Sequence, residues 1–273
     1  MIPLGDDNPT QTRPYVVYAL IALNVVVYLI DWLGPQTRFG GALWNYSMIP
    51  RSVVHNVPTD VIHRVPVVLP NGMRAVMQIT KDHLGLDPQW LTIFTSMFLH
   101  GGLLHLGGNM LYLWVFGNNI EEALGHFKFV IFYLLCGVIA ALGHILVNVN
   151  STIPTVGASG AIAAVLGAYL LLYPHARVRT LVILGFFWTA VRIPAIYMLG
   201  MWFLLQLIGL GGTGGKLGGG VAYGAHVGGF VAGVAIIWLL GGRKLTRRRP
   251  YQRPHQRPYG GPNDRPYPFR PWR

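Results

Sequence analysis

Six stretches of this chain, residues 15–33, 91–117, 129–147, 156–173, 194–210 and 221–240, are predominantly apolar. Their lengths lie near the ~20 residues that a helix needs to cross a bilayer. In hydrocarbon every backbone N–H and C=O must be paired within the fold, so such stretches predict an all-α membrane protein, a bundle of six transmembrane helices. Composition agrees: 11% of the residues are charged, against about 25% in an ordinary soluble domain. That deficit excludes a typical cytosolic enzyme, and the 52% apolar content excludes a disordered chain. A further apolar run, 181–187, is bracketed so closely by Arg177, Arg179 and Arg192 that it reads as an interfacial segment rather than a span.

The net charge of +12 does not mark a nucleic-acid-binding face, because residues 243–273 alone hold ten Lys/Arg and one acid, Asp264. This tail repeats Arg-Pro-aromatic or Arg-Pro-His units, and its prolines predict an extended, disordered segment suited to anionic lipid headgroups. No nucleic acid is expected as a partner. Positive charge at the end of a span marks the cytoplasmic side; six spans then put both termini there, in a multi-pass protein of the cell membrane. Residues 1–14 lack a basic n-region, so the first span reads as an uncleaved anchor. Three regions follow: a cytoplasmic N-terminus (1–14), a six-span core (15–242) and the basic tail (243–273). The loop 34–90 falls outside and is too long for a passive connector. A turn at Pro70-Asn71-Gly72, between Val67-Val68 and Ala75-Val76, predicts a hairpin in it. Loop 211–220 is nearly all glycine apart from Lys216 and a few others, a composition suited to a moving gate.

Polar side chains inside such spans are costly and therefore functional candidates. Span two carries His100, His105 and Asn109, span four begins Gly157-Ala158-Ser159-Gly160, and span six begins Tyr223-Gly224-Ala225-His226. These three spans run in the same direction. Ser159 and His226 each lie about four to six residues into their spans, roughly 6–9 Å deep, and His105 and Asn109 share one face of span two. A serine and a histidine at one level can act as nucleophile and general base. A serine in the first turn of a helix also has unpaired backbone N–H groups beside it, ready for an oxyanion, with His105 and Asn109 as further donors. Glycine and serine in spans also serve close packing; Gly224, Gly228, Gly229 and Gly233 predict that span six packs on span four. No metal or cofactor is called for. His100 and His105 are five residues apart, poor spacing for two ligands on one helical face. Neither a pair of buried aspartates nor a His-Glu-x-x-His motif occurs, which removes aspartic and zinc proteases.

These motifs, in this order, resemble the rhomboid intramembrane serine proteases. His100-Gly-Gly-Leu-Leu-His105-Leu-Gly-Gly-Asn109 is similar to the family's second-span pattern, as are Glu121 and Leu124-Gly125 after it. Gly157-Ala158-Ser159-Gly160 is similar to the nucleophile motif, and Ala225-His226-Val227-Gly228-Gly229 with Gly233 to the general-base span. The resemblance covers residues 15–242 and implies a rhomboid-like bundle with a large first external loop. It implies Ser159 as nucleophile and His226 as general base in a dyad without an acid. His105, Asn109 and the Ser159 N–H would form the oxyanion hole, with Gly157, Gly160, His100 and Gly229 in support. Single-span membrane proteins are the implied substrates and the fifth span the implied gate. Two departures stand out: Trp90 is followed by Leu91 rather than arginine, and Ala163 occupies the place of a tyrosine that stacks on the histidine in some members. A non-catalytic relative that binds and escorts transmembrane helices is the alternative, and a small-solute channel or carrier a third.

Overall fold

The computed structural model describes residues 2–34, 44–56, 59–68, 74–83, 86–185, 187–213 and 220–247. Chain order is β1 (Ile2–Asp6), α1 (Tyr15–Leu33), α2 (Pro50–His55), β2 (Thr59–Val68), β3 (Arg74–His83), α3 (Thr92–Ser96), α4 (Leu103–Leu124), α5 (His126–Val147), α6 (Ser159–Leu172), β4 (Arg177–Leu184), β5 (Phe187–Pro194), α7 (Ala195–Thr213), α8 (Tyr223–Leu239) and α9 (Lys244–Arg247). Two single 3₁₀ turns, Trp44–Tyr46 and Gln89–Leu91, complete it.

Among the described residues, three helical stretches are long and apolar enough to cross a membrane: Tyr15–Leu33, His126–Val147 and Ala195–Gly212. The bundle is organised around α6. Every residue from Gly160 to Tyr169 is buried, so this helix faces protein on all sides. With 14 residues it measures only about 21 Å, short of the ~30 Å of a hydrocarbon core. Irregular backbone at that depth is tolerated where protein surrounds it or where it lines a cavity, and residues 148–158 before α6 line one.

Glycines set how closely α8 lies on α6. A Cβ at Gly229 would sit 2.1 Å from the carbonyl oxygen of Gly160, one at Gly233 2.0 Å from that of Ala164, and one at Gly167 2.2 Å from that of Phe230. The two backbones therefore touch over the length of the contact, the use of small residues in helix pairs that have no hydrophobic drive between them. Glu121 on α4 ties down the start of α1, which has no side-chain cap of its own. Its carboxylate accepts the N–H groups of Val16 and Val17 at 3.0 and 2.8 Å, donors that a helix N-terminus otherwise leaves unpaired.

The chain is not purely helical. β1, β4 and β5 form an antiparallel sheet in that spatial order, β1-β4-β5, so residues 181–184 and 187 of the apolar run lie in the strands of the β4–β5 hairpin, and residues 2–6 contribute the sheet's third strand. Arg177 and Arg179 point outward while Val178 and Thr180 are fully buried, a period-two pattern that belongs to a strand. β2 and β3 pair antiparallel with Val67 opposite Ala75, as the hairpin in loop 34–90 requires; the turn at Pro70-Asn71-Gly72 lies outside the described residues. Span two also differs. Its helix begins at Leu103, not at 91, because Ile93, Met97 and Leu99 fold back into the protein. Met97 fills the space beside Gly137, where a Cβ would be 2.0 Å from its terminal methyl. Apolar character there reflects burial in protein rather than lipid. Residues 243–247 are not extended: Arg243 Nε donates to the Leu171 carbonyl at 3.2 Å and α9 follows. The tail from 248 onward and the glycine-rich residues 214–219 lie outside the described residues.

Candidate active site

Ser159 is the first residue of α6, so its N–H is one of those with no acceptor inside the helix. Gly157 before it has φ +127, a backbone region that side chains rarely adopt. A Cβ there would also meet Cε1 and Nε2 of His105 at 2.8 Å. The Gly157 N–H donates to the Ser96 carbonyl at 2.9 Å, which fixes the bend into the helix. Gly160 lies against Ala140 of α5, where a Cβ would come within 2.7 Å.

His226 is the fourth residue of α8, and its Nε2 lies 2.8 Å from Ser159 Oγ. The α6–α8 contact makes this possible, since Gly229 stands one turn beyond His226 and packs on Gly160, the neighbour of Ser159. The depth of four to six residues expected from the sequence shortens for Ser159, the first residue of α6, and holds for His226, the fourth of α8, while His105 is the third of α4. Three helix N-termini thus converge on one place, and each carries partial positive charge.

His105 Nδ1 accepts the Gly101 N–H at 3.4 Å, which leaves Nε2 to carry the proton on the side facing Gly157. Asn109 is buried, and its Nδ2 has no hydrogen-bond partner among the described residues. That Nδ2 lies 3.7 Å from where a Gly157 Cβ would be, so a free donor points at the bend before Ser159. His100 precedes α4 rather than lying in it; it is buried, with its ring 5.1 Å from that of His105 and edge-on to it. A cavity of about 820 Å³ opens over these groups and includes Gly101, His105, Asn109, Ser159, Trp202 and His226 in its wall. His144 also faces it, with Nε2 3.3 Å from Thr155 Oγ1, whereas Cys136 is buried in the core.

Sequence reasoning singles out neither of two residues that touch His226. Gln206 Oε1 lies 2.8 Å from His226 Nδ1, and the Trp202 ring centroid lies 5.7 Å from the imidazole. Both come from α7. Tryptophan therefore supplies, from a neighbouring helix, an aromatic neighbour where Ala163 supplies none. A signal existed: Gln206 is a lone amide within an apolar span, the same kind of feature that selects Asn109.

Residues 87–243 match the model of the Rhomboid domain family. The chain is 30% identical over 238 residues to Rhomboid protein 1, mitochondrial, of Saccharomyces cerevisiae, an alignment covering 84% of this chain and 55% of that protein. It is 32% identical over 162 residues to Rhomboid-like protein 11, chloroplastic, of Arabidopsis thaliana, covering 56% and 53%. With Rhomboid protease GluP of Bacillus subtilis the identity is 35% over 140 residues, covering 51% and 26%. The chain thus spans about half the length of the first two relatives and about a quarter of the third. A match over more than half of its residues, running through the segments that hold Ser159 and His226, establishes that this integral membrane protein belongs to the rhomboid family.

Proposed function

We propose that this protein is an intramembrane serine endopeptidase that hydrolyses peptide bonds within or beside the transmembrane segments of single-span membrane proteins. The observation that carries the reading is the 2.8 Å contact between Ser159 Oγ and His226 Nε2 at the convergence of three helix N-termini, beneath a cavity open to a peptide. His226 Nε2 takes the hydroxyl proton as Ser159 Oγ attacks the scissile carbonyl carbon. The carbonyl oxygen becomes an oxyanion, held by the Ser159 N–H, His105 Nε2–H and Asn109 Nδ2–H. The imidazolium then gives its proton to the leaving amine, the C–N bond breaks and an acyl-enzyme remains. Water repeats the sequence with the same base and releases the acid. The base must be neutral at the outset, so turnover falls as pH drops through the protonation of His226.

Six spans with both termini in the cytoplasm complete the reading, with α7 as the wall that admits substrate and the basic tail resting on anionic lipid. That one relative is named a protease supports the activity; the intact dyad and the tryptophan beside the histidine weigh against a non-catalytic escort. The test is covalent labelling by a fluorophosphonate probe. Wild type should label and Ser159→Ala and His226→Ala should not; a folded wild type that stays unlabelled beside a reactive control protease refutes the reading.

A further inference from the structure

The bond between Gln206 and His226 has a direction, and that direction selects a protonation state. Gln206 Nε2 donates to the Trp202 carbonyl at 3.2 Å, one turn back on α7. That contact orients the amide: its nitrogen is engaged with a carbonyl, so its oxygen is the end that faces His226 Nδ1 at 2.8 Å. An amide oxygen only accepts. The imidazole nitrogen opposite it must therefore carry hydrogen, and in a neutral ring the other nitrogen, Nε2, then holds the lone pair. That nitrogen is the one 2.8 Å from Ser159 Oγ. The opposite tautomer would set a lone pair against the amide oxygen and a proton against the serine, and the serine would have no base.

We infer that Gln206 is a positioning residue: it holds His226 in the Nδ1–H form and so makes Nε2 the base for Ser159. It does the work that a carboxylate does in triads without placing a charge in the membrane. Among the described residues lining the cavity there is no Asp, Glu, Lys or Arg, so no ionised group competes for the assignment. The other titratable groups in its wall are His105 and Tyr112 from α4, His144 from α5 and Tyr223 from α8 itself. None of them has a hydrogen bond to His226 among the described residues.

The bond also joins α7 to α8, and the two helices are held differently from α6 and α8. Where α6 and α8 touch backbone to backbone, α7 meets α8 through side chains: Phe203 stacks on Phe230 with centroids 4.3 Å apart, and Trp202 lies over His226 and Phe230 at 5.7 and 6.1 Å. A displacement of α7 that lengthens the 2.8 Å bond by about 0.7 Å takes it past hydrogen-bond range and releases the ring from its assigned tautomer. Base strength at Ser159 therefore follows the seating of α7.

The inference rests on the protease reading for its catalytic meaning but is measurable without turnover. The full-length protein, ¹⁵N-labelled in its histidine rings and reconstituted in lipid nanodiscs, reports the tautomer of His226 by NMR. His226→Gln identifies its signal. Wild type should show Nδ1–H. In Gln206→Met, which keeps length and removes the acceptor, that form should give way to the Nε2–H form or a mixture. The fluorophosphonate labelling rate should fall at least tenfold, since a wrong tautomer at fixed geometry can cost far more. Gln206→Glu offers an acceptor oxygen whether or not it is ionised, and should retain Nδ1–H. A wild-type His226 found as Nε2–H overturns the inference by itself, even if no variant folds. So does a Gln206→Met protein that keeps both Nδ1–H and the wild-type labelling rate, a result that leaves the protease reading standing. A wild type that never labels, yet loses Nδ1–H on Gln206→Met, sinks the protease reading and leaves the Gln206–His226 assignment intact.

Discussion

Gly229→Ala is the most informative single substitution, because it moves the dyad without touching it. The added Cβ would lie 2.1 Å from the Gly160 carbonyl oxygen, whereas carbon and oxygen meet at about 3.3 Å. The obstacle is the Gly160 backbone, so α8 must retreat from α6 by about 1 Å at this level. Gly160 adjoins Ser159, and Gly229 is one turn from His226, so most of that retreat falls on the 2.8 Å contact between Oγ and Nε2. It would open to nearly 4 Å, beyond the ~3.5 Å at which a hydrogen bond is lost. A misplacement of about 1 Å typically costs about a hundredfold in rate, or ~2.7 kcal/mol of barrier. Stability should suffer less. Overpacking costs about 1–3 kcal/mol, and replacing a mid-helix glycine with alanine returns about 1 kcal/mol. The second-order rate of fluorophosphonate labelling, measured beside thermal unfolding in detergent, separates the two effects. Gly200→Ala is the control: a Cβ there meets nothing within 4 Å, so the rate should hold while the unfolding temperature rises slightly by the same helix-propensity gain. A Gly229→Ala protein that labels at the wild-type rate would refute the claim that backbone contact between α6 and α8 sets the dyad distance.

Three further outcomes follow from the same structure. Asn109→Ala should lower kcat in substrate cleavage by about 10²- to 10³-fold with KM nearly unchanged, the usual cost of one oxyanion donor; a change confined to KM would assign Asn109 to binding instead. Glu121→Ala removes a carboxylate that is 1% exposed and accepts two N–H groups at the start of α1. It should destabilise the protein by about 3 kcal/mol, read as a lower unfolding temperature, and an unchanged temperature would show that α1 is held by packing alone. Asp6 has its pKa raised above 3.8 by desolvation, which outweighs the hydrogen bonds donated by Tyr169 and Asn119. A folded state that binds its proton more tightly than the unfolded chain loses stability as pH rises from about 4 through the folded-state pKa. Asp6→Asn should abolish that slope in a pH series of unfolding temperatures, and a slope that survives would place its origin elsewhere.

The bundle was legible in the sequence wherever hydrophobicity reports lipid, and misread wherever it reports protein. Helix α1 falls at 15–33 from hydropathy alone because most of its surface is exposed to solvent or lipid. Residues 91–102 are as apolar as a span, yet Ile93, Met97 and Leu99 are buried against the bundle, and nothing in their composition distinguishes the two kinds of burial. The sheet carried a visible mark, the alternation Arg177-Val178-Arg179-Thr180, which an arginine-bracketed apolar run obscured.

At the site the division is sharper. His105, Asn109, Ser159 and His226 each announce themselves as polar groups in an apolar setting, and the similar depth of Ser159, His105 and His226 follows from parallel helix starts, a one-dimensional quantity. Which side chain faces which across two helices is not one-dimensional. Ala163 marks where the histidine lacks one neighbour, but no pattern says that Trp202, on a different helix, lies beside the imidazole, or that Gln206 one turn beyond it turns its oxygen toward Nδ1. On the proposed protease reading, the same geometry makes an acid dispensable. Three helix N-termini would favour negative charge at an oxyanion, so what the histidine would need from its third partner is an orientation, and a neutral amide supplies that without the several kcal/mol that burying an unpaired carboxylate would cost.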